Sequence, residues 1–129
     1  MSTARKMAAQ LVHYLRFTVN FNDPGIGAGA KKQTLPAGAV IIGTDVMTTV
    51  AFNGATSALT VGTEAGTFAN IVGAGAAVEV AGLVQNIPPS GAALGPLAAD
   101  AQVGVLFVGA GATTGKAIVI IKYVVDNDL

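Results

Sequence analysis

The chain has 129 residues, enough for one ordinary core and too few for two. Apolar residues make up 52% and charged residues only 11%, with 17 glycines, no cysteine, no tryptophan and a net charge of zero. These numbers exclude disulfides and thiolate metal sites, disfavour nucleic-acid binding, and leave a weakly charged surface suited to burial against other protein.

Residues 1–10, MSTARKMAAQ, form an N-terminal arm, either flexible or a short helix. They lack the apolar run of a signal peptide. No stretch reaches the ~18 apolar residues of a membrane helix, so no membrane partner is expected. The remainder, 11–129, is predicted to be a single β domain.

Residues 11–22, LVHYLRFTVNFN, alternate. Leu11, His13, Leu15, Phe17, Val19 and Phe21 share one face, and the intervening positions are mostly polar. Period two over twelve residues predicts a strand with one buried face. His13 sits on the apolar side, without a second metal ligand at a useful spacing. GIGAGA, residues 25–30, meets a loose dinucleotide fingerprint through Gly25, Gly27 and Ala30, with Asp45 twenty residues on. Pro24 precedes it and KKQTLPAG follows where a helix should open, so it reads as a flexible loop between strands.

Leu35-Pro36-Ala37-Gly38 is a turn into a long strand over 39–51, bent or bulged at Gly43. Asn53-Gly54 signals a hairpin, with 57–62 as the return strand. Residues 63–75 fit a short helix or an irregular crossing. Residues 76–85 read as a strand with Glu79 outward, and 86–102 as a Pro/Gly-rich loop with a turn at 97–101. Residues 103–109 and 117–125 are strand-like and flank GAGATTGK, which predicts a closing hairpin.

GAGATTGK, residues 109–116, imitates a phosphate-binding loop. A Walker loop needs glycine five residues before its Gly-Lys and a hydroxyl after the lysine. Ala110 and Ala117 occupy those positions, and a strand follows in place of a helix. No cofactor is expected. Catalysis is also disfavoured: there is one histidine, the seven carboxylates are scattered, and no serine has a nucleophile context. Asp126-Asn127-Asp128 begins like a calcium loop but lacks the later glycine and glutamate.

Charge is unevenly spread. Residues 1–32 carry Arg5, Lys6, Arg16, Lys31 and Lys32 against Asp23, a balance of +4. Residues 33–129 carry Lys116 and Lys122 against Asp45, Glu64, Glu79, Asp100, Asp126 and Asp128, a balance of −4. Arg5 and Lys6 of the arm, with the loop lysines Lys31 and Lys32, are the candidate contact residues for a protein partner.

These elements predict an all-β fold, an antiparallel sandwich or barrel. Long connections that do not simply meander point to the jelly-roll or Greek-key type. Several stretches together resemble a known family: VNFND (19–23), LPAGAVI (35–41), the turn Val50-Ala51-Phe52-Asn53-Gly54, LTVGT (59–63) and GAGATTGKAIVIIKYVVDND (109–128). Over residues 15–127 the chain resembles small virion structural proteins of tailed bacteriophages, in particular the head decoration or cement type. The resemblance implies a jelly-roll domain that binds the major capsid protein on the outside of the capsid as a homo-oligomer, dimer or trimer. It also implies synthesis in the host cytoplasm and no catalytic residues. Other virion roles are a tail, head-fibre or baseplate module. A carbohydrate-binding sandwich is disfavoured by the scarcity of aromatics, and a small enzyme by the missing chemistry.

Overall fold

The computed structural model describes residues 11–125. Among these residues seven strands form: β1 (His13–Asn20), β2 (Ala30–Leu35), β3 (Val40–Val50), β4 (Ala55–Gly62), β5 (Gly82–Ile87), β6 (Ala101–Ala110) and β7 (Lys116–Val124). Two short 3₁₀ turns, Ala74–Ala76 and Gly91–Ala93, lie in the connections. The strands make a four-stranded sheet in the order β1-β7-β3-β5 and a three-stranded sheet in the order β2-β6-β4, with every pairing antiparallel. The pattern predicted an all-β antiparallel sandwich or barrel, and the sandwich is what forms.

The alternation in β1 has the expected consequence. Phe17 and Val19 are buried, Leu15 packs against the core, and Tyr14, Arg16 and Thr18 are exposed. The core between the sheets is aliphatic. Val19, Leu35, Val46, Leu59, Val61, Val103, Val105, Val119 and Ile121 are fully buried. Each such side chain contributes about 1.5–3 kcal/mol of transfer free energy, which is how a cysteine-free domain holds together. Phe52 and Phe107 close one end of the core, their ring centroids 5.0 Å apart.

Consecutive strands always lie in opposite sheets. Neither predicted hairpin therefore exists. β6 and β7 do not pair, nor do β3 and β4. The glycine-rich links 51–54 and 111–115 instead carry the chain across the sandwich. Glycine at positive φ serves a crossing as well as a hairpin, as at Gly54, with φ +111°. The bulge expected at Gly43 is present: the β3–β7 register shifts between Ile41 and Gly43.

Two further segments differ from expectation, and a third resolves an open one. Residues 30–35 form edge strand β2, so Lys31 and Lys32 lie on a strand and not in a loop. Ala76 ends a 3₁₀ turn and 77–81 are an irregular link, so the strand expected from 76 begins only at Gly82. Glu79 does not point freely outward. It is half-buried, its carbonyl accepts the Phe52 N–H at 2.8 Å, and its Oε2 has no partner among the described residues. Residues 63–72, left open by the sequence, fold over the outside of the three-stranded sheet. Phe68, at φ +43°, lays its ring over Gly29 and Gly104, where any side chain would collide with it. Asn70 holds the segment down by accepting the Thr63 N–H at 2.7 Å and donating to Thr63 Oγ1 at 2.9 Å.

The crossings gather at the two ends of the sandwich. Links 21–29, 51–54, 77–81 and 111–115 share one end, tied by Phe21 N–H to Gly115 O and Phe52 N–H to Glu79 O. At the other end, the loop 88–100 is fastened to 36–39: Gly38 N–H donates to Leu97 O and Leu97 N–H to Ala39 O.

Candidate functional site

The phosphate-like loop is already filled from within. Asn53 Oδ1 accepts the N–H groups of Thr113 (2.7 Å) and Thr114 (3.0 Å), and its Nδ2 donates to Thr113 Oγ1 at 2.9 Å. Thr114 Oγ1 donates to Ala51 O at 3.0 Å. Backbone donors that a phosphate would take are thus spent on an internal amide. Gly115 is needed because the Phe52 ring occupies the place of its side chain. Lys116 then enters β7, not a helix. The loop is a structural clasp.

The candidate lysines have different surroundings. Lys32 Nζ binds Asp23 Oδ2 at 2.6 Å, with both side chains largely covered. Asp23 also accepts the Asn20 N–H at 3.0 Å and caps the turn after β1. Partial burial pushes the Asp23 carboxyl up. The hydrogen bond and charge of Lys32, with the Asn20 donors, outweigh that and leave it below its ordinary value. The Lys32 charge is therefore engaged inside the domain. Lys31 is exposed and borders an open hollow of about 480 Å³, shared with Thr63, Phe68, Leu97, Asp100 and Gln102. Arg5 and Lys6, the rest of the arm, and Asp126-Asn127-Asp128 lie outside the described residues.

His13 stacks on Tyr123, with ring centroids 5.5 Å apart. Among the described residues, no three histidine, cysteine or acidic side chains are placed to share a metal ion. No helix among them is long and apolar enough to cross a membrane.

A surface that the sequence reading passed over is the outer face of the four-stranded sheet. Register places its side chains in rows. Thr18, Ile118, Met47 and Leu83 are paired in sequence across all four strands. The next row is Arg16, Ile120 and Asp45, and the next Tyr14, Lys122 and Gly43. Val124 and Val40 follow. Tyr14 is 61% exposed, Leu83 55%, Ile42 52% and Met47 40%. Among the described residues the charges here are Arg16, Asp45, Lys122 and, at the far end of β7, the exposed Lys116. Asp45 Oδ1 binds Lys122 Nζ at 3.2 Å and accepts the Asn86 N–H at 2.9 Å. Asn86, at φ +58°, offers Oδ1 to Lys122 at 3.1 Å. Adjacent exposed apolar side chains on a sheet face are the surface chemistry of a protein contact. A signal for this face was present in residues 117–121, AIVII, because a strand with one solvated face does not carry isoleucine on both.

No protein-family model matches the chain, and no curated protein matches it. A solved structure does. The chain is similar in fold to one in the structure described as "Cyanophage Pam1 capsid asymmetric unit". The alignment covers 97% of this chain and 92% of the other, with a TM-score of 0.65 and 19% sequence identity. The shared feature at that identity is the fold.

Proposed function

We propose that this chain is a virion structural protein of a bacteriophage, of the decoration or cement type. On this reading it binds the major capsid protein on the outside of the assembled head and self-associates there. The observation that carries the reading is the fold shared along nearly the whole chain with a component of the Pam1 capsid asymmetric unit. Two properties support it. The strand order β1-β7-β3-β5 against β2-β6-β4, with every connection crossing between sheets, fits a jelly roll. The sparse charge and the apolar outer sheet suit broad protein contacts.

The mechanism is mass action. A protein that binds only the assembled lattice stabilises that lattice by its binding free energy, without chemistry. In this proposal Arg5 and Lys6 of the arm and Lys31 on β2 supply cationic contacts to the shell. Lys32, held by Asp23, orders the β1–β2 link instead.

The test is the copy number of this chain in purified virus particles, measured by quantitative mass spectrometry against the major shell protein. Near-stoichiometric abundance is expected. A handful of copies would assign it to the tail, a head fibre or the baseplate, and absence would remove it from the virion. Deleting residues 1–10 should weaken attachment to heads and leave the melting temperature unchanged. Undiminished binding would remove the arm from the contact.

A further inference from the structure

We propose that Lys122 and Asn86 join covalently in the folded chain, as a side-chain amide formed with loss of ammonia, and that Asp45 relays the protons. The bond would staple edge strand β5 to β7 across β3. It does not rest on the capsid reading.

The argument begins with how the two side chains come to meet. β5 and β7 are not neighbours, because β3 runs between them. The β3–β5 register shifts between Thr44 and Val46, so Asp45 faces a stretch of β5 that carries one residue extra. Bulges of this kind re-aim a side chain. Asn86 is in the bulge, at φ +58°, a conformation that costs strain in most residues and is best tolerated by asparagine. Its carboxamide reaches back over β3 and accepts a hydrogen bond from Lys122 Nζ at 3.1 Å. Gly43, paired with Lys122 on β3, lies beneath them. A Cβ there would already touch Asn86 Oδ1 and Lys122 Cε, both at 3.7 Å, so any larger side chain would wedge between the pair.

Asp45 completes the group. Its Oδ1 is 3.2 Å from Lys122 Nζ and accepts the Asn86 N–H at 2.9 Å, so one carboxylate touches both reactants. The Asp45 and Lys122 side chains are only 16% and 20% exposed. An amine, an amide and a carboxylate in mutual contact are the components of an acyl transfer. The hydrogen bond leaves Nζ one carbonyl bond, ~1.23 Å, from the contact that attack requires. Rotation at the end of the lysine side chain turns the nitrogen from Oδ1 onto Cγ.

The step balances without any co-reactant. Asp45 takes a proton from the Lys122 ammonium, which is a nucleophile only once deprotonated. Nζ attacks Asn86 Cγ, the new C–N bond forms, and the carbonyl electron pair moves to Oδ1. The pair then returns and the Cγ–Nδ2 bond breaks. Two of the three Nζ protons pass by way of Asp45 to Nδ2, which leaves as ammonium. Asp45 ends as the carboxylate it began as. Fixed proximity drives the reaction, since well-oriented intramolecular partners reach effective molarities of ~10⁵ M or more.

The experiment is the intact mass of the purified full chain after prolonged incubation in mildly alkaline buffer, followed by peptide mapping and thermal melts of every variant. The parent should be lighter than its sequence by one ammonia. A branched peptide should join positions 86 and 122. Lys122→Arg keeps a cation beside Asp45 and should hold its full sequence mass, as should Asn86→Gly, which tolerates the positive φ. Both should melt below the parent. Asp45→Asn should slow the mass loss roughly 100-fold, the contribution of one general acid–base group. A parent at full sequence mass overturns the proposal. So does an ammonia loss that persists in Lys122→Arg, which would place it elsewhere, as in ring closure at Asn53-Gly54. A folded Asp45→Asn that reacts at the parental rate overturns the relay.

Discussion

Replacing Asn53 by alanine should open the clasp between the crossings 51–54 and 111–115. Three side-chain hydrogen bonds would go: from the Thr113 and Thr114 N–H groups, and to Thr113 Oγ1. A net contribution of about 0.5–1.5 kcal/mol applies to each, and solvent exposure puts these at the low end, so the loss is about 2 kcal/mol. For a domain of this size that is a drop of roughly 8 °C in melting temperature. Urea unfolding with a common m-value would measure it. Amide exchange would localise it, with Thr113 and Thr114 accelerating and the β6 core amides unchanged. Asn53→Asp retains the Oδ1 that accepts both N–H bonds and loses only the donor, one bond of the three, so it should cost about a third as much. A cost below about 0.5 kcal/mol for Asn53→Ala, or unchanged exchange at Thr113 and Thr114, would refute the account of this loop as a clasp.

Two other perturbations have definite outcomes. Phe68→Ala removes the ring covering Gly29 and Gly104 and should cost about 3–5 kcal/mol in chemical denaturation, among the largest single losses in this fold. The Asp23 carboxyl has a folded-state pKa below its ordinary value, so its contribution is present above the unfolded pKa and is lost as pH falls through the folded one. A stability titration from neutral to acid pH should therefore fall less steeply in Asp23→Asn, whose own cost at neutral pH should be about 1 kcal/mol.

The strands of this fold are more legible in the sequence than their partners. β1 is written as a clean alternation, and the Gly43 bulge as a glycine inside a β-branched run. Both are local. Partner choice is not. Asn53-Gly54 and the 109–116 loop have the chemistry of hairpin turns, and a crossing between sheets asks for the same backbone angles, so turn chemistry could not separate the two. β2 was missed because AKKQTL has little strand propensity. It is a strand because β6 lends it a ladder, which is a tertiary effect. The strand expected over 76–85 starts late because its first half is spent on the turn that receives Phe52 N–H and Thr48 Oγ1. The candidate contacts divide in the same way. Clusters of lysine are visible in a sequence, and their ion partners are not: Asp23 lies nine residues from Lys32, yet claims it. The apolar outer sheet escaped notice because its rows combine residues from four distant segments.

The position of β7 decides when the protein can exist. It is the last strand in chain order among the described residues, and it pairs along one side with β1 and along the other with β3. During synthesis, β1 therefore waits without a ladder until β7 has left the ribosome. No crossing offers a local pairing that could form early. Such a topology folds slowly, on the scale of milliseconds to seconds, because loop closure must precede most of the contacts that reward it. Folding is then a single late event, and the apolar sheet face is not displayed, correctly arranged, before the chain is ready to bind.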